Sequence, residues 1–247
     1  MSRRVRIAMF VPAVALFAGL LTWSLVAIPH FGNYRGPYGF VLNRVVLPER
    51  HMTNVVTAVV FDYRGFDTMG EEFILFIAVT GVVLLLREHE REDEEKLDDE
   101  IGSDAVRVGG SLAIGVCMLV ALWLIAFGFV TPGGGFQGGV ALASSLVLVF
   151  LCASYTSWTG VAAEQWLDPF EGAGAGGYVV VGLAALIGGM PFLTNLLGPG
   201  TPGTLYSGGS APFVNWAAGT EVAAANLILF TTFLEAYIVP LAAGRRA

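Results

Sequence analysis

Residues 108–130 read VGGSLAIGVCMLVALWLIAFGFV, 23 positions from Val108 to Val130 without an Asp, Glu, Lys, Arg or His. A bilayer hydrocarbon core takes about 20 residues of helix to cross, so this stretch has the length and composition of a transmembrane span. Outward from it, largely apolar runs of similar length recur at Ile7 to Ile28, Thr68 to Arg87, Phe136 to Tyr155, Ala173 to Leu197 and Val222 to Ala243. Of the 247 residues, 55% are hydrophobic and 13% charged, against about 25% charged in soluble domains. That composition excludes a soluble globular protein. It predicts an all-α, polytopic membrane protein with about six transmembrane helices.

The second span has the shortest apolar part, the 14 residues from Phe73 to Leu86, so Thr68 to Glu72 must supply a polar first turn at the interface. At the start, Arg3, Arg4 and Arg6 precede an apolar run about twice as long as that of a signal peptide, which predicts an uncleaved first span. Alternation of six spans leaves nine basic residues on the side of the N-terminus and four, Arg35, Arg44, Arg50 and Arg64, on the other. The bias predicts that both termini are cytoplasmic. Residues 88 to 104 hold ten acids against Arg91 and Lys96, a net −8 within a total of −7. Segment 88–105 therefore reads as an acidic cytoplasmic linker unable to fold alone, either a plain connection or a funnel that gathers cations. It separates a two-span unit, 1–87, from a four-span domain, 106–247.

Cys117 and Cys152 sit in separate apolar runs, and His30, His51 and His89 lie outside them. No zinc, haem or iron–sulfur ligand set is formed, and no cofactor is implied. The most distinctive string is TPGGGFQGG, Thr131 to Gly139. Pro132 stops the third span; Gly134 with Gly138, and Gly135 with Gly139, keep the four-residue spacing that lets helices approach closely in a membrane. The amides that open the next helix also suit an anion or carboxylate. The string lacks the ending of a phosphate loop and follows no strand, so neither a nucleotide nor a nucleic-acid partner is indicated.

Met52, Val55, Val56, Val59, Val60 and Tyr63 recur with helical period, leaving Asn54, Thr57, Ala58 and Asp62 on the other side. This predicts a short amphipathic helix that lies on the outer interface or dips into it. Gly65 then breaks the chain, and Thr68 with Glu71 forms a capping box for span two, an account of Glu71 that competes with a transport role. Acids inside a bilayer are costly and usually functional. Glu221 opens span six, where it can snorkel, and Glu235 lies roughly 6 Å from that span's midpoint at about 1.5 Å per residue. A carboxyl at Glu235 suits proton exchange near neutral pH, and pairing with a neighbouring protein, Arg245 or Arg246 explains it equally well. Residues 198–220, rich in Gly and Pro, read as an outer loop.

At these strings the chain resembles the membrane module of Mrp-type (Mnh) multisubunit cation/proton antiporters. Residues 106 to 243 resemble the MnhB-type component, whose Pro-Gly-Gly-Gly-Phe-x-x-Gly pattern stands here as Pro132 to Gly139. Residues from about 36 to 87 resemble the C-terminal end of the MnhA-type component, whose Asp-x-Arg-Gly-x-Asp-Thr-x-Gly-Glu pattern is matched by Asp62, Arg64, Gly65, Asp67, Thr68, Gly70 and Glu71. Two positions depart: Phe129 to Thr131 replace a polar lead into the glycine motif, and Thr231 stands where the last helix often has Asp. The resemblance implies a transporter subunit rather than an enzyme, in a prokaryotic cell membrane. Its partners would be the other antiporter subunits and membrane lipid, and the complex would exchange Na+ for H+. Asp67, Glu71, Glu221 and Glu235 are then the candidates for the proton or cation path. Pro132, Gly133, Gly134, Gly135, Gly138 and Gly139 are the candidates for a helix contact. Two other readings remain: a purely structural subunit, and the corresponding membrane subunit of a membrane-bound hydrogenase or respiratory complex.

Overall fold

The computed structural model describes residues 3–28, 36–86 and 103–238; the acidic segment from 88 to 102, Arg245 and Arg246 lie outside the described residues. Nine helices are described: α1 Arg3–Val26, α2 Pro37–Arg50, α3 Val55–Ala58, α4 Gly65–Leu86, α5 Asp104–Ala126, α6 Gly135–Cys152, α7 Tyr155–Val161, α8 Glu164–Ile187 and α9 Ala211–Phe233. A π-helical turn, Val59–Tyr63, joins α3 towards α4, and another, Leu234–Ile238, extends α9. Six described helices are long and apolar enough to cross a membrane: α1, α4, α5, α6, α8 and α9 with its extension. The protein is all-α and polytopic, with α3 as an additional short amphipathic helix.

The chain divides into two compact units, Met1–Val41 and Leu42–Ala247. In the first, α1 exposes apolar side chains on every side, with Trp23 at 73% and Leu16 at 67% exposure. Only lipid or another protein surface satisfies such a helix. In the second unit α9 is the central post, packed by α4, α5, α6 and α8. Its run of Ala218, Gly219, Ala223, Ala224 and Ala225, all buried, keeps side chains short so that neighbouring backbones approach. A Cβ at Gly139 would lie 2.8 Å from the Gly219 carbonyl oxygen, and one at Gly174 would lie 2.5 Å from the Glu221 amide nitrogen. Gly138, on another side of α6, meets Ile125 of α5. The contacts make α6 run parallel to α9, with Gly135 beside Asn215 and Phe150 beside Phe230. In the same way α5 runs against α6, with Gly138 beside Ile125 and Gly110 beside Cys152.

The Thr131 to Gly139 string makes the turn between α5 and α6. Gly133 and Gly134 adopt φ of +155° and +156°, and a side chain at Gly133 would press to 2.9 Å from the Leu124 carbonyl oxygen, so the turn needs glycine on both counts. Two asparagines stitch it down. Asn54 Nδ2 donates to the Gly128 and Thr131 carbonyls at 2.7 and 3.0 Å, while its Oδ1 caps α3 by accepting from Val56 and Thr57. Asn215, fully buried on α9, accepts from the Gly135 N–H at 2.7 Å and donates to the Ile125 carbonyl at 2.6 Å.

Several boundaries differ from the sequence reading. Span five is Glu164–Ile187, not Ala173 to Leu197; a polar first turn starts it, and it stops at Gly189 (φ +75°), where the Gly189 and Met190 amides cap the Leu186 and Ala185 carbonyls. Span six starts at Ala211, with Pro212 in its first turn, rather than at Val222, so the loop before it covers 188–210. Polar residues that read as loop, Asn215 among them, are helical because they make buried contacts. The capping box is not formed: Thr68 lies inside α4, and its hydroxyl donates to the Val60 carbonyl at 2.6 Å. The polar side of the 52–63 segment turns inward rather than away, since Asn54 and Thr57 bind carbonyls of the α5–α6 turn. Helices α2 and α7 have no counterpart in the sequence reading.

Candidate functional site

On α4, Gly65, Thr68, Glu72 and Val79 are the buried positions, at spacings of three, four and seven that place them on one helical side. That side packs on α9, and Glu72, 1% exposed, faces Glu221, 0% exposed. Because α9 begins at Ala211, Glu221 lies near the middle of the span Ala211–Ala236 rather than at its edge. Gly174 permits this placement: without a Cβ, α8 closes directly over the Glu221 backbone. One turn earlier on α8, buried Glu171 lies within electrostatic reach of Glu221 on one side and of Asp168 on the other.

The three carboxyl groups have little to hold them. Neither oxygen of Glu72 or of Glu221, nor Oε1 of Glu171, meets a described N–H or O–H donor. Among the described residues the ion pairs are Arg50–Asp62, Arg64–Asp67 and Arg107–Asp104, none of which reaches this cluster. Tyr178, fully buried on α8, donates its hydroxyl to the Gly65 carbonyl at 2.8 Å and packs on Phe61, which ties the start of α4 to α8 beside the glutamates.

A second polar group gathers just before α4, outside the membrane-spanning helices. Arg50 Nε lies 3.1 Å from Asp62 and its guanidinium 4.9 Å from the Tyr63 ring centre. Asn195 Nδ2 donates to Asp62 at 3.3 Å, and its Oδ1 accepts from the Ser210 N–H and hydroxyl. Burial pushes the Asp62 carboxyl above its ordinary range, more than Arg50 and Asn195 bring it down. Burial, together with the Glu49 carboxylate that accepts the Tyr63 hydroxyl at 2.7 Å, pushes the Tyr63 phenol up to about 12.

The four acids singled out by the sequence are therefore dispersed. Asp67 is exposed and ion-paired with Arg64, and Glu71 is exposed on α4. Glu235 is half-buried at the far end of α9, on the wall of a cavity that also holds Asp168. Glu221 alone joins the buried cluster, with Glu72 and Glu171. The sequence signal for Glu72 was its place one turn after Thr68 on the stripe that includes Gly65 and Val79; Glu171 carried none, because the apolar run places the helix start after it.

The helices and the cluster they enclose make this a multi-span membrane protein with buried carboxyl groups that meet no donor among the described residues. Residues 105–228 match the domain related to the MnhB subunit of Na+/H+ antiporters, and the chain belongs to this family. Residues 2–99 match the MbhE family of MBH subunits. An uncharacterised protein of Methanocaldococcus jannaschii is 30% identical over 207 residues, covering 74% of this chain and 78% of its own. The B-type subunit of the Na+/H+ antiporter of Bacillus subtilis is 30% identical over 106 residues, 43% of this chain and 71% of that protein. A probable A/B-type subunit of a K+/H+ antiporter of Rhizobium meliloti is 29% identical over 58% of this chain, which spans only 16% of that relative. Among solved structures, a chain of the membrane-bound sulfane sulfur reductase, an archaeal respiratory membrane complex, superposes with a TM-score of 0.72 at 29% identity, covering 93% of this chain and 98% of the other. A chain of the Mrp complex from Dietzia sp. shares the fold with a TM-score of 0.68 at 22% identity, over 94% of this chain and 26% of that one.

Proposed function

We propose that this protein is a membrane subunit of a multisubunit complex that exchanges a monovalent cation, Na+ in the first instance, for H+, and that Glu72 and Glu221 with Glu171 hold the ion on its way. The observation that carries the reading is a pair of facing carboxyl groups inside transmembrane helices with no described donor or cation beside them. Two such groups at close range repel strongly in a low dielectric. They become compatible when a proton bridges them or a cation sits between them, and alternation between those two states is what an antiporter requires. Membrane-embedded acids commonly mark such paths. On this reading 1–87 corresponds to the end of the MnhA-type component, 88–105 to a linker and 106–247 to the MnhB-type component. Both termini lie in the cytoplasm, Asp67 and Glu71 stand near the outer mouth, and the glycines of 133–139 set a helix contact.

The test is sodium-driven proton movement in everted membrane vesicles that carry the whole complex. Glu72→Gln or Glu221→Gln is expected to abolish exchange while a native gel shows the complex intact. Normal exchange in both variants would remove the pair from the mechanism. A second reading, the same ion-handling role in a redox-driven complex, is favoured by the near full-length likeness to the sulfane sulfur reductase chain. Its discriminator is the set of proteins that co-purify: redox proteins with metal centres, or antiporter components only.

A further inference from the structure

At the end of the bundle where α4 begins, a cavity of about 580 Å³ is lined by Arg50, Asp62, Gly65, Leu193 and Asn195 among others. One water needs only about 10–15 Å³, so this polar-walled space holds several. Tyr178 stands between it and the facing glutamates. On α4, Gly65 belongs to the cavity wall and Glu72 to the pair; they share one helical side, seven residues and about 10.5 Å apart along the axis. The Tyr178 hydroxyl donates to the Gly65 carbonyl at 2.8 Å, and Thr68 and Glu72 both act on the same phenol. On α8, Tyr178 lies one turn beyond Gly174, the residue that closes over Glu221. The ring is fully buried, with the Phe61 ring centre at 6.4 Å, and Leu193 packs on the same cluster. A Cβ at Gly65 would touch the Tyr178 hydroxyl and Leu193 Cδ1, at 3.8 and 3.9 Å, so cavity wall, hydroxyl and apolar packing meet at one point.

We infer that Tyr178 is a gate: with its hydroxyl on the Gly65 carbonyl it closes the route between this cavity and Glu72 with Glu221, and rotation of its side chain off Gly65 opens that route to the exchanged ion. The inference rests on the proposed ion-exchange function. Phe61 and Leu193 keep water from passing around the ring, and apolar constrictions of this kind gate by staying dry. A phenol has one proton to give, so the polar part of the closure is a single neutral hydrogen bond. Its loss shifts an equilibrium between closed and open forms about fivefold.

Thiol labelling in the purified native complex tests this without relying on transport. Thr68, 3% exposed and one turn before Glu72 on the same side of α4, is replaced in Thr68→Cys by a thiol behind the gate. A small cationic methanethiosulfonate is the probe, and mass spectrometry reads the rate at each cysteine separately. Cys152, at the far end of α6, reports any loosening of the whole fold. Tyr178→Phe keeps the ring and removes the hydroxyl; it is expected to speed labelling of Thr68→Cys about fivefold while the Cys152 rate stays the same. Equal rates with Tyr or Phe at position 178, or the same acceleration at both cysteines, overturns the gate. If Thr68→Cys prevents assembly, modification of Glu72 by a water-soluble carbodiimide, with exposed Asp67 as the reference, gives the same comparison. If Tyr178→Phe does, Phe61→Leu, which withdraws the ring contact, takes its place. The outcomes separate the two proposals. Selective acceleration alongside normal exchange in Glu72→Gln and Glu221→Gln defeats only the glutamate reading, and loss of exchange in those variants without selective acceleration defeats only the gate.

Discussion

Glu221 illustrates how one residue changes meaning with its surroundings. At the edge of a span a glutamate reaches water and costs little; in mid-helix, against Glu72 and beneath Gly174, it has no described donor at all. Asp62 is the contrasting acid, partnered by Arg50 and Asn195 yet still held above its usual range because burial outweighs them. The sign of the resulting pH dependence follows from linkage. A folded-state value above the unfolded one means that the native state holds the proton more firmly, so this contribution is present in acid and is lost as pH rises through the Asp62 range. Scanning fluorimetry of the complex from about pH 4 to about pH 7 should therefore show part of its loss of stability with rising pH disappear in Asp62→Asn. An unchanged slope would mean that Asp62 does not titrate in that window.

At the level of elements, the α6–α9 contact is set by what is missing from glycine. A Cβ at Gly135 would lie 2.3 Å from the Asn215 carbonyl oxygen and one at Gly139 2.8 Å from that of Gly219, backbone atoms that cannot swing aside, whereas Gly115 on α5 has nothing within 4 Å. Gly135→Ala and Gly139→Ala are expected to destabilise by about 1–3 kcal/mol through forced helix separation, and Gly115→Ala to be neutral or slightly stabilising because alanine favours the helix. Thermal denaturation of the detergent-solubilised complex distinguishes these outcomes. The existence of the long helices was legible in the sequence because apolar runs of about 20 residues have few other uses. Their ends were not: α8 begins nine residues, and α9 eleven residues, before their predicted starts. Hydropathy treats Glu171, Asn215 and Glu221 as water-facing, although in this bundle they are enclosed by protein.

Across the molecule, much apolar surface is left for lipid or other proteins to cover. Helix α1 offers apolar surface in all directions, and α5 exposes Leu112, Val116 and Leu119, more than α9 alone organises. Together with the likeness to chains of two multisubunit complexes, this leads to the expectation that the polypeptide reconstituted alone in proteoliposomes exchanges no sodium for protons, while the complete complex does. Dye-based pH measurement in the vesicles reads this directly. Full activity from the single chain would contradict its role as one component of a larger assembly.

The solvent, the helical class and the family are legible in the order of residues alone, because a bilayer demands long apolar segments with internally satisfied backbones and because the strings at 62–71 and 131–139 are distinctive in one dimension. Which acids stand together was decided only by tertiary structure. Glu71 and Glu72 are neighbours in sequence, yet one is exposed and the other meets Glu221, 149 residues away. A rotation of about 100° per residue around a helix, and the absence of a side chain at Gly174, separate the two cases.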